Sequence, residues 1–499
     1  MSIIHSIPLF TIVMSLLASV VCSIVSAKWA KRVYAVIGLV VIGLTLTMMF
    51  HTMQVGEAFV YMMGHFPAPW GNEIQVGPLE AGLASIFCLI LYFSVFGGYL
   101  KLKEDIRESK RNLYFTLVNL VQVSILALLY TNDIFTAYVF IEISTLASCG
   151  LLMIRQIGRT TAAATRYMIF SLLGSGLFLI GVILLYNITG HLLIPNIKEQ
   201  LALITESSRY MVPLIVATSL ITLGLAIKSG CFPFHFWMPD TYGTATPSSS
   251  AILSGLISKA YILVLIKVIY RVIGFDVFIK TGITDIMFIF GVIGMIVGSL
   301  SAIKENNINR MIAFSSAAQI GYIYMGLGLG TTAGTVAAVF HIVTHALTKP
   351  LLFLAASRLE AVSGDSKKFA SLTGAAHRNR LAGLAFTVGA LSMIGIPGLM
   401  GFTSKLQFAT SAIAVPGKMV LTMAALVIST LLNTLYFFRT VIRIYTPAPV
   451  SPYATSRVHL NEQRIFTLIS LCFIALNLLF GLQSQPVIDL LTQGVSLFH

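Results

Sequence analysis

Charge is what this sequence most lacks. Asp, Glu, Lys and Arg make up only 10% of its 499 residues, whereas hydrophobic residues make up 57%. A soluble domain carries roughly a quarter charged residues, so these few charges cannot cover a water-exposed surface, and most of the surface must face lipid. The excess of 32 basic over 18 acidic residues does not indicate nucleic-acid binding, because the basic residues stand singly or in short runs between apolar segments.

Cysteine is also scarce, and no two cysteines form a C-x-x-C pair. The sequence therefore offers neither a disulfide framework nor a zinc or iron–sulfur site. The five are Cys22, Cys88, Cys149, Cys231 and Cys472. We expect no cofactor and no metal on this chain, with any redox centre on a partner. No cleavage-site pattern precedes the basic run at 28–32, which favours a retained first helix over a signal peptide.

Apolar segments of the length needed to cross a bilayer, about 20 residues, recur along the whole chain. They are 5–27, 33–53, 78–100, 112–130, 134–154, 163–187, 210–228 with an apolar continuation, 247–270, 281–303, 311–330, 333–357, 381–413, 419–442 and 464–483. The predicted fold class is an all-α polytopic membrane protein with about 14 transmembrane helices.

The distribution of basic residues between the loops predicts the orientation. With the N-terminus outside, the loops on the cytoplasmic side carry 22 Lys and Arg and the opposite loops carry five. Cytoplasmic loops of membrane proteins are enriched in Lys and Arg. We therefore expect both termini outside a prokaryotic cytoplasmic membrane.

Five lysines remain inside predicted spans, where a charged side chain costs at least about 2.5 kcal/mol. They are Lys228, Lys259, Lys267, Lys349 and Lys405. Lys267 lies near the end of its span and can extend its ammonium to the interface. Lys259 is too deep for that, which favours a functional role. Glu142 is the only acidic residue deep in a predicted span, and Lys228 or Lys259 is its expected partner. An ion pair that only fixes helix register is the alternative.

The segment FHIVTHALTKPLLFL places His341, His345 and Lys349 at i, i+4 and i+8. This spacing puts all three on one helical face and covers about 12 Å of the helix axis. Histidine titrates near neutral pH, so the stripe predicts a proton relay. A metal site is disfavoured because no Cys, Asp or Glu lies in the segment. A structural histidine pair stays open as an alternative.

Glycine and proline interrupt two of the spans. The first interruption, at Gly230 and Pro233, follows Lys228; the second, at Gly395, Pro397 and Gly398, precedes Lys405. Helices broken inside a membrane are tolerated where they line a cavity, and paired breaks are typical of transporters built from inverted repeats. We predict four regions: helices 1–3 in 1–111, a first five-helix repeat in 112–270, a second in 271–442, and a loop with the last helix in 443–499.

The segment IKSGCFPFHFWMPDTYGTATPSSSAILSG resembles the signature of the antiporter-like subunits shared by respiratory complex I, membrane-bound hydrogenases and Mrp-type multisubunit cation/proton antiporters. FHIVTHALTKPLLFL, NRMIAFSSAAQIGYI and the Glu142 segment fit in order, over spans 4 to 13. The resemblance implies fourteen helices, two inverted five-helix repeats with broken helices 7 and 12, and a central polar axis. The residues it assigns to proton transfer are Glu142 paired with Lys228, Lys259, His341, His345, Lys349 and Lys405, with His235 as an accessory group.

The run GHFPAPWGNEIQ resembles the D-type Mrp subunit more than its complex I homologues. Two departures concern the subtype: Asn307-Ile308-Asn309-Arg310 replaces Asp-x-Lys-Arg, and VGPLEAG lacks an aspartate usual near span 3. We expect a proton-translocating subunit of an Mrp-type Na+/H+ antiporter, with other membrane subunits as partners. The alternative is an ion-pumping subunit of a redox-driven hydrogenase or complex I-like enzyme. A scaffold without transport would predict an interrupted lysine series, and the series is complete.

Overall fold

The computed structural model describes residues 3–66, 71–206, 210–447 and 463–498. Residues 67–70 of the run GHFPAPWGNEIQ, and the predicted loop cations Arg209 and Arg457, lie outside these ranges. Most of the described chain is α-helical, which confirms the all-α class.

The first part of the chain leads to a helix that ends at Ser229. Its helices are α1 (Ile3–Ile24), α2 (Ala27–Val55), α3 (Pro78–Gly97), α4 (Tyr99–Asp105), α5 (Arg111–Tyr130), α6 (Ile134–Met153), α7 (Gly158–Thr189), α8 (Ile194–Glu206) and α9 (Met211–Ser229). Between α2 and α3, strands β1 (Phe59–Met62) and β2 (Glu73–Val76) form an antiparallel hairpin in which Phe59 pairs with Val76.

The second part continues from the broken helix to the C-terminus. Its helices are α10 (Met238–Thr244), α11 (Pro247–Ile252), α12 (Ser258–Lys267), α13 (Phe275–Lys280), α14 (Ile283–Lys304), α15 (Ile308–Gly328), α16 (Thr332–Ala361), α17 (Ala375–Arg378), α18 (Arg380–Ile394), α19 (Met400–Ile413), α20 (Pro416–Tyr445), α21 (Arg464–Leu482) and α22 (Gln485–Ser496). One-turn π-helices at Leu253–Ile257 and Val268–Val272 flank α12, and short 3₁₀ turns form at Met63–His65, Glu108–Lys110, Phe234–Trp237 and Phe369–Leu372.

Twelve helical segments of the described chain are long and apolar enough to cross a membrane. The two other predicted spans differ from them for separate reasons. Helix α15 has 21 residues but a more polar sequence, and the span 381–413 consists of the two halves α18 and α19. The multi-pass prediction is confirmed, while the arrangement as two inverted repeats stays a prediction.

The two interruptions lie where Gly and Pro predict them. Helix α9 ends at Gly230 with φ 78°, and α18 ends at Gly395 with φ 92°. A left-handed residue at a helix C-terminus favours glycine, so each break is built into the local sequence. Pro233 lies in the first connection, and Pro397 and Gly398 lie in the second.

Helix α16 forms the centre of the bundle and is buried along almost its whole length, as is the segment Pro247–Val272. Helices α2 and α20, in contrast, expose many large apolar residues, as expected of a surface that faces lipid. Backbones pack closely at α14 and α15, where a Cβ on Gly321 would lie 2.6 Å from the Met295 nitrogen. Small residues allow such close approach between membrane helices.

Candidate functional site

Glu142 and Lys228 lie together, as the sequence predicts. The Lys228 Nζ is 3.6 Å from the Glu142 Oε1 and donates a 2.7 Å hydrogen bond to the Thr145 hydroxyl. The Ser175 hydroxyl donates to the Glu142 carboxylate. The Lys228 side chain is fully buried, whereas that of Glu142 is 22% exposed. The carboxylate therefore lies at the rim of the bundle and the ammonium inside it.

Helix packing fixes the position of Lys228. The lysine occupies the last turn of α9, next to the break at Gly230, and a cation is favoured at a helix C-terminus. Helix α7 approaches closely here, because a Cβ on Gly174 would lie 3.0 Å from the Lys228 Cγ. The C-terminal end of α9 thus provides partial negative charge near the Lys228 ammonium, and Gly174 leaves space for the Lys228 side chain.

Lys259 follows the first π-helix and is completely buried. Its ammonium donates to the Ser254 carbonyl and, at 3.0 Å, to the Ser258 hydroxyl. π-Helices are frequent at functional sites because they release backbone groups from the regular ladder. The Lys259 ammonium therefore bonds groups of its own helical segment. No acidic side chain of the described residues lies within ion-pair distance of it.

A chain of hydrogen bonds connects Lys259 with Lys349. The hydroxyls of Ser254 and Ser316 are 2.9 Å apart, and Ser316 donates to the Ile312 carbonyl at 3.0 Å. The Lys349 ammonium donates to that same carbonyl at 3.0 Å. It also donates to the Ser315 hydroxyl at 2.6 Å. Helix α15 therefore lies between two lysines that form no ion pair within the described residues.

The two histidines of α16 face the same buried layer. The His341 Nδ1 is 2.6 Å from the Ser404 hydroxyl, and its ring stacks on Tyr322 at 5.3 Å between centroids. The His345 ring lies 6.5 Å from that of His341, and neither of its nitrogens has a hydrogen-bond partner. The amide of Gln319 is likewise buried and without a partner. Unpaired polar atoms in a buried layer are the places where ordered water bonds.

Lys405 lies at the second helix break. Its Nζ donates to the Ile394 carbonyl at 2.6 Å and to the Thr430 hydroxyl at 2.8 Å. Ile394 is the last residue of α18, so the ammonium binds the negative end of a half-helix. Ser404, the partner of His341, is the neighbouring residue. The Lys405 Nζ lies 5.5 Å from the centre of the Tyr322 ring, which stacks on His341, so Lys405 is close to the α16 stripe.

His235 lies near the first break but apart from this series. It is buried in the 3₁₀ turn Phe234–Trp237 and stacks between Phe232 and Phe236, at 5.8 and 4.6 Å. Its Nδ1 has no partner. Within the described residues, no group of three or more His, Cys, Asp and Glu has the arrangement of a metal site.

Three other ionisable side chains are buried near the ends of spans. Lys267 is 5% exposed, and its ammonium donates to the carbonyls of Leu128, Leu129 and Thr131 at the end of α5; its placement near the membrane interface stays a prediction. Glu80 is 1% exposed and pairs with Arg271 at 2.7 Å, and Glu360 is 4% exposed. Both acids lie at span ends, where hydropathy predicts an interface.

A basic pocket of about 540 Å³ opens at the end of the bundle that is predicted to be cytoplasmic. Its cations are Arg155, Arg159, Arg166, Arg310 and Lys367. Asp240, in the pocket wall, binds both Arg166 and Arg310, and Asp105 binds Arg155 at 2.8 Å. Burial lowers the pKa of Lys367, whereas the nearby Glu360 carboxylate acts to raise it. Ionisable groups at this end are thus close together and partly removed from water.

Comparisons with known proteins agree with this arrangement. The family described as NADH:quinone oxidoreductase/Mrp antiporter, TM, matches residues 131–433, which contain every residue from Glu142 to Lys405. The N subunit of the NADH-quinone oxidoreductase of Desulforudis audaxviator is 32% identical over 413 residues, covering 81% of this chain and 78% of the relative. The D-type subunit of the Na(+)/H(+) antiporter of Bacillus subtilis is 26% identical over 423 residues, covering 82% of each.

A chain of the Mrp complex from Dietzia sp. DQ12-45-1b has the same fold. Its TM-score is 0.85 at 24% identity, and the match covers 99% of this chain and 97% of that chain. At this identity the likeness concerns the fold.

Proposed function

Because this chain belongs to the NADH:quinone oxidoreductase/Mrp antiporter family of membrane subunits, we propose that it translocates protons within a multisubunit Mrp-type Na+/H+ antiporter or an Mrp-containing complex. The observation that carries the proposal is the buried polar series from the Glu142–Lys228 pair to Lys405. A membrane protein bears the cost of buried ionisable groups where they serve transport.

Each part of the series has a distinct task in this proposal. One half-channel delivers a proton to the Glu142–Lys228 pair, and the serines between Lys259 and Lys349 bridge the two halves. The α16 histidines then pass the proton on to Lys405. A charge on one lysine repels a charge on the next, so protonation at one site favours release at its neighbour without a large backbone movement.

The partial exposure of Glu142 supports a place beside other membrane subunits. Its helix also exposes Phe135, Val139 and Leu146 on the same side, and a carboxylate facing lipid is unfavourable. We propose that a partner subunit covers this face. The partners would then form the other half of the ion pathway, and sodium would be handled by the wider complex. No cofactor is needed on this chain in this proposal.

The second candidate is an ion-pumping subunit of a redox-driven complex. The observation in its favour is the 32% identity to the N subunit of an NADH-quinone oxidoreductase. In that setting the redox centres would belong to partner subunits, and the same lysine series would move the protons. Co-purification separates the two: iron–sulfur or hydrogenase subunits favour the redox complex, and small membrane subunits alone favour the antiporter.

The orientation completes the proposal. The multi-pass topology is shown by the apolar helices; a prokaryotic cytoplasmic membrane with the N-terminus outside is our proposal from the distribution of basic residues. The test uses a variant that lacks the natural cysteines and carries a single new cysteine before α1. Labelling of that cysteine in intact cells by an impermeant thiol reagent shows whether the N-terminus lies outside.

The test of function is proton-coupled transport in everted vesicles. Glu142→Ala and Lys228→Ala are expected to abolish it, and Lys280→Ala, at the end of α13 and outside the series, should not change it. Transport at the wild-type rate in both pathway variants, with normal insertion and assembly, would contradict the assignment.

A further inference from the structure

Glu360 is a buried acid that the pathway above does not use. It lies in the last turn of α16 and is only 4% exposed, and its Oε1 has no hydrogen-bond partner. Within the part of the chain that the structure describes, no Lys or Arg nitrogen forms an ion pair with it. The C-terminal end of a helix is electrostatically negative, so the site disfavours a charged carboxylate and favours one that holds a proton.

The position of Glu360 connects it with the relay. Eleven residues, or about three helical turns, separate it from Lys349, so both lie on the face that also carries His341 and His345. Asn309 of α15 lies beside the Glu360 carboxyl. One helical turn further along α15 is Ile312, whose carbonyl accepts the hydrogen bond from Lys349.

Lys367 connects the surroundings of Glu360 with the basic pocket. Lys367 lines the pocket and donates to the Gly243 carbonyl at 2.8 Å. It is also the positive charge with the largest effect on the Glu360 carboxyl. Asp365 and Lys101 are the other charged groups that act on it from neighbouring segments. The Ser357 hydroxyl, one turn before Glu360 on α16, and the Asn309 Oδ1 are buried without hydrogen-bond partners. These polar atoms can bond the water that a proton path requires.

We infer that Glu360 is a further proton-binding site, which exchanges protons between the basic pocket and Lys349 through water bonded beside Asn309 and Ser357. This inference rests on the proposed proton transport and adds an access point on the side predicted to be cytoplasmic. The transfer is a simple acid–base step: the carboxylic acid releases a proton toward Lys349 and regains one from water in the pocket.

The test compares Glu360→Gln, Glu360→Asp and Lys228→Ala in the assembled complex, with proton movement measured in everted vesicles. Glu108→Gln, an exposed acid at the same end, is the matched control. We expect Glu360→Gln to slow transport by about tenfold or more, as loss of a positioned acid–base group does. Glu360→Asp should recover part of the rate, and Glu108→Gln should leave it unchanged. If Glu360→Gln transports protons at the wild-type rate while Lys228→Ala does not, the role of Glu360 is wrong and the proposed function stands. If both variants transport at the wild-type rate, the proposed function is wrong as well.

A chemical readout covers the case in which Glu360→Gln does not assemble. A hydrophobic carbodiimide reacts with protonated carboxyl groups in apolar surroundings, so the wild-type complex should form an adduct at Glu360 that mass spectrometry locates. A carboxylate that only serves as a fixed counter-charge for Lys367 would stay unlabelled across the pH range of transport. That result would overturn the inference irrespective of the variants.

Discussion

The Glu142–Lys228 pair allows a structural role to be separated from a transport role by a double-mutant cycle. The variants are Glu142→Gln, Lys228→Met and their combination. At 3.6 Å, two unit charges attract each other by about 5 kcal/mol at an effective dielectric constant near 20. The 22% exposure of Glu142 reduces this through solvent. Removing one partner of a buried pair nevertheless costs about 3–5 kcal/mol, because the other charge stays uncompensated.

We therefore expect each single variant to lower the free energy of unfolding by about 3 kcal/mol, and the double variant to recover most of that loss. The assay is titration of the reconstituted chain with SDS in mixed micelles. The pair Lys418–Asp285, in which Asp285 is 67% and Lys418 20% exposed, provides the control cycle: solvent screens the charge of Asp285, so Lys418→Met and Asp285→Asn should couple by less than about 1 kcal/mol.

Transport by the double variant decides between the two roles. If the pair carries protons, the stabilised double variant stays inactive, because neither group can bind or release a proton. If the pair only fixes helix register, the double variant recovers transport together with stability. Additive losses in the single and double variants would refute the ion pair itself, and active transport in the double variant would refute its place in the pathway.

Three further substitutions test the surrounding structure. Gly321→Ala should destabilise the chain by about 1–3 kcal/mol, because its Cβ would lie 2.6 Å from the α14 backbone; Gly43→Ala, with open space at its Cβ, should be neutral in the same SDS titration. Ser404→Ala should slow proton transport by removing the His341 hydrogen bond, worth about 0.5–1.5 kcal/mol, while Ser404→Thr retains it. Lys267→Met should lower stability but leave transport per assembled complex unchanged, because its ammonium caps α5; loss of transport there would add Lys267 to the pathway.

The membrane helices and both breaks could be predicted because their causes are local. Hydropathy over about 20 residues identifies a span, and a glycine such as Gly230 or Gly395 identifies its end. The scarcity of charge inside the spans limited the partner of Glu142 to Lys228 or Lys259, and the family resemblance indicated Lys228. Each span and each break follows from one segment of the sequence, and the short list of partners for Glu142 follows from the scarcity of charge along the whole chain.

The partners of the other lysines could not be predicted in the same way. Lys228, Lys349 and Lys405 bind hydroxyls of Thr145, Ser315 and Thr430, and serine and threonine occur throughout membrane helices without any distinctive spacing. Lys267 shows the same limit: its carbonyl ligands come from α5, over 130 residues away in sequence. Helix–helix register determines such contacts.

Glu360 differs, because its signal was present in the sequence. It continues the face of His341, His345 and Lys349 three turns further along one helix. The predicted span 333–357 ended just before it, and the structure extends α16 to Ala361. Extending a periodic face beyond the apolar limit of a span would have identified it.

The positive charges of Lys228 and Lys405, one at each helix break, are compensated to different extents, and this difference bears on the direction of proton transfer. Lys228 has both the C-terminal end of α9 and the full counter-charge of Glu142 at 3.6 Å. Lys405 has the Ile394 carbonyl at the end of α18 and the Thr430 hydroxyl, but no acidic group within ion-pair distance among the described residues. A helix end supplies about half an elementary charge. A proton that enters at the Glu142–Lys228 pair therefore meets full compensation, while a charge that arrives at Lys405 is only partly compensated and depends on a neighbouring subunit or on release. Because both breaks provide a helix end, it is the Glu142 carboxylate that makes the series electrostatically asymmetric, with the less compensated charge at Lys405.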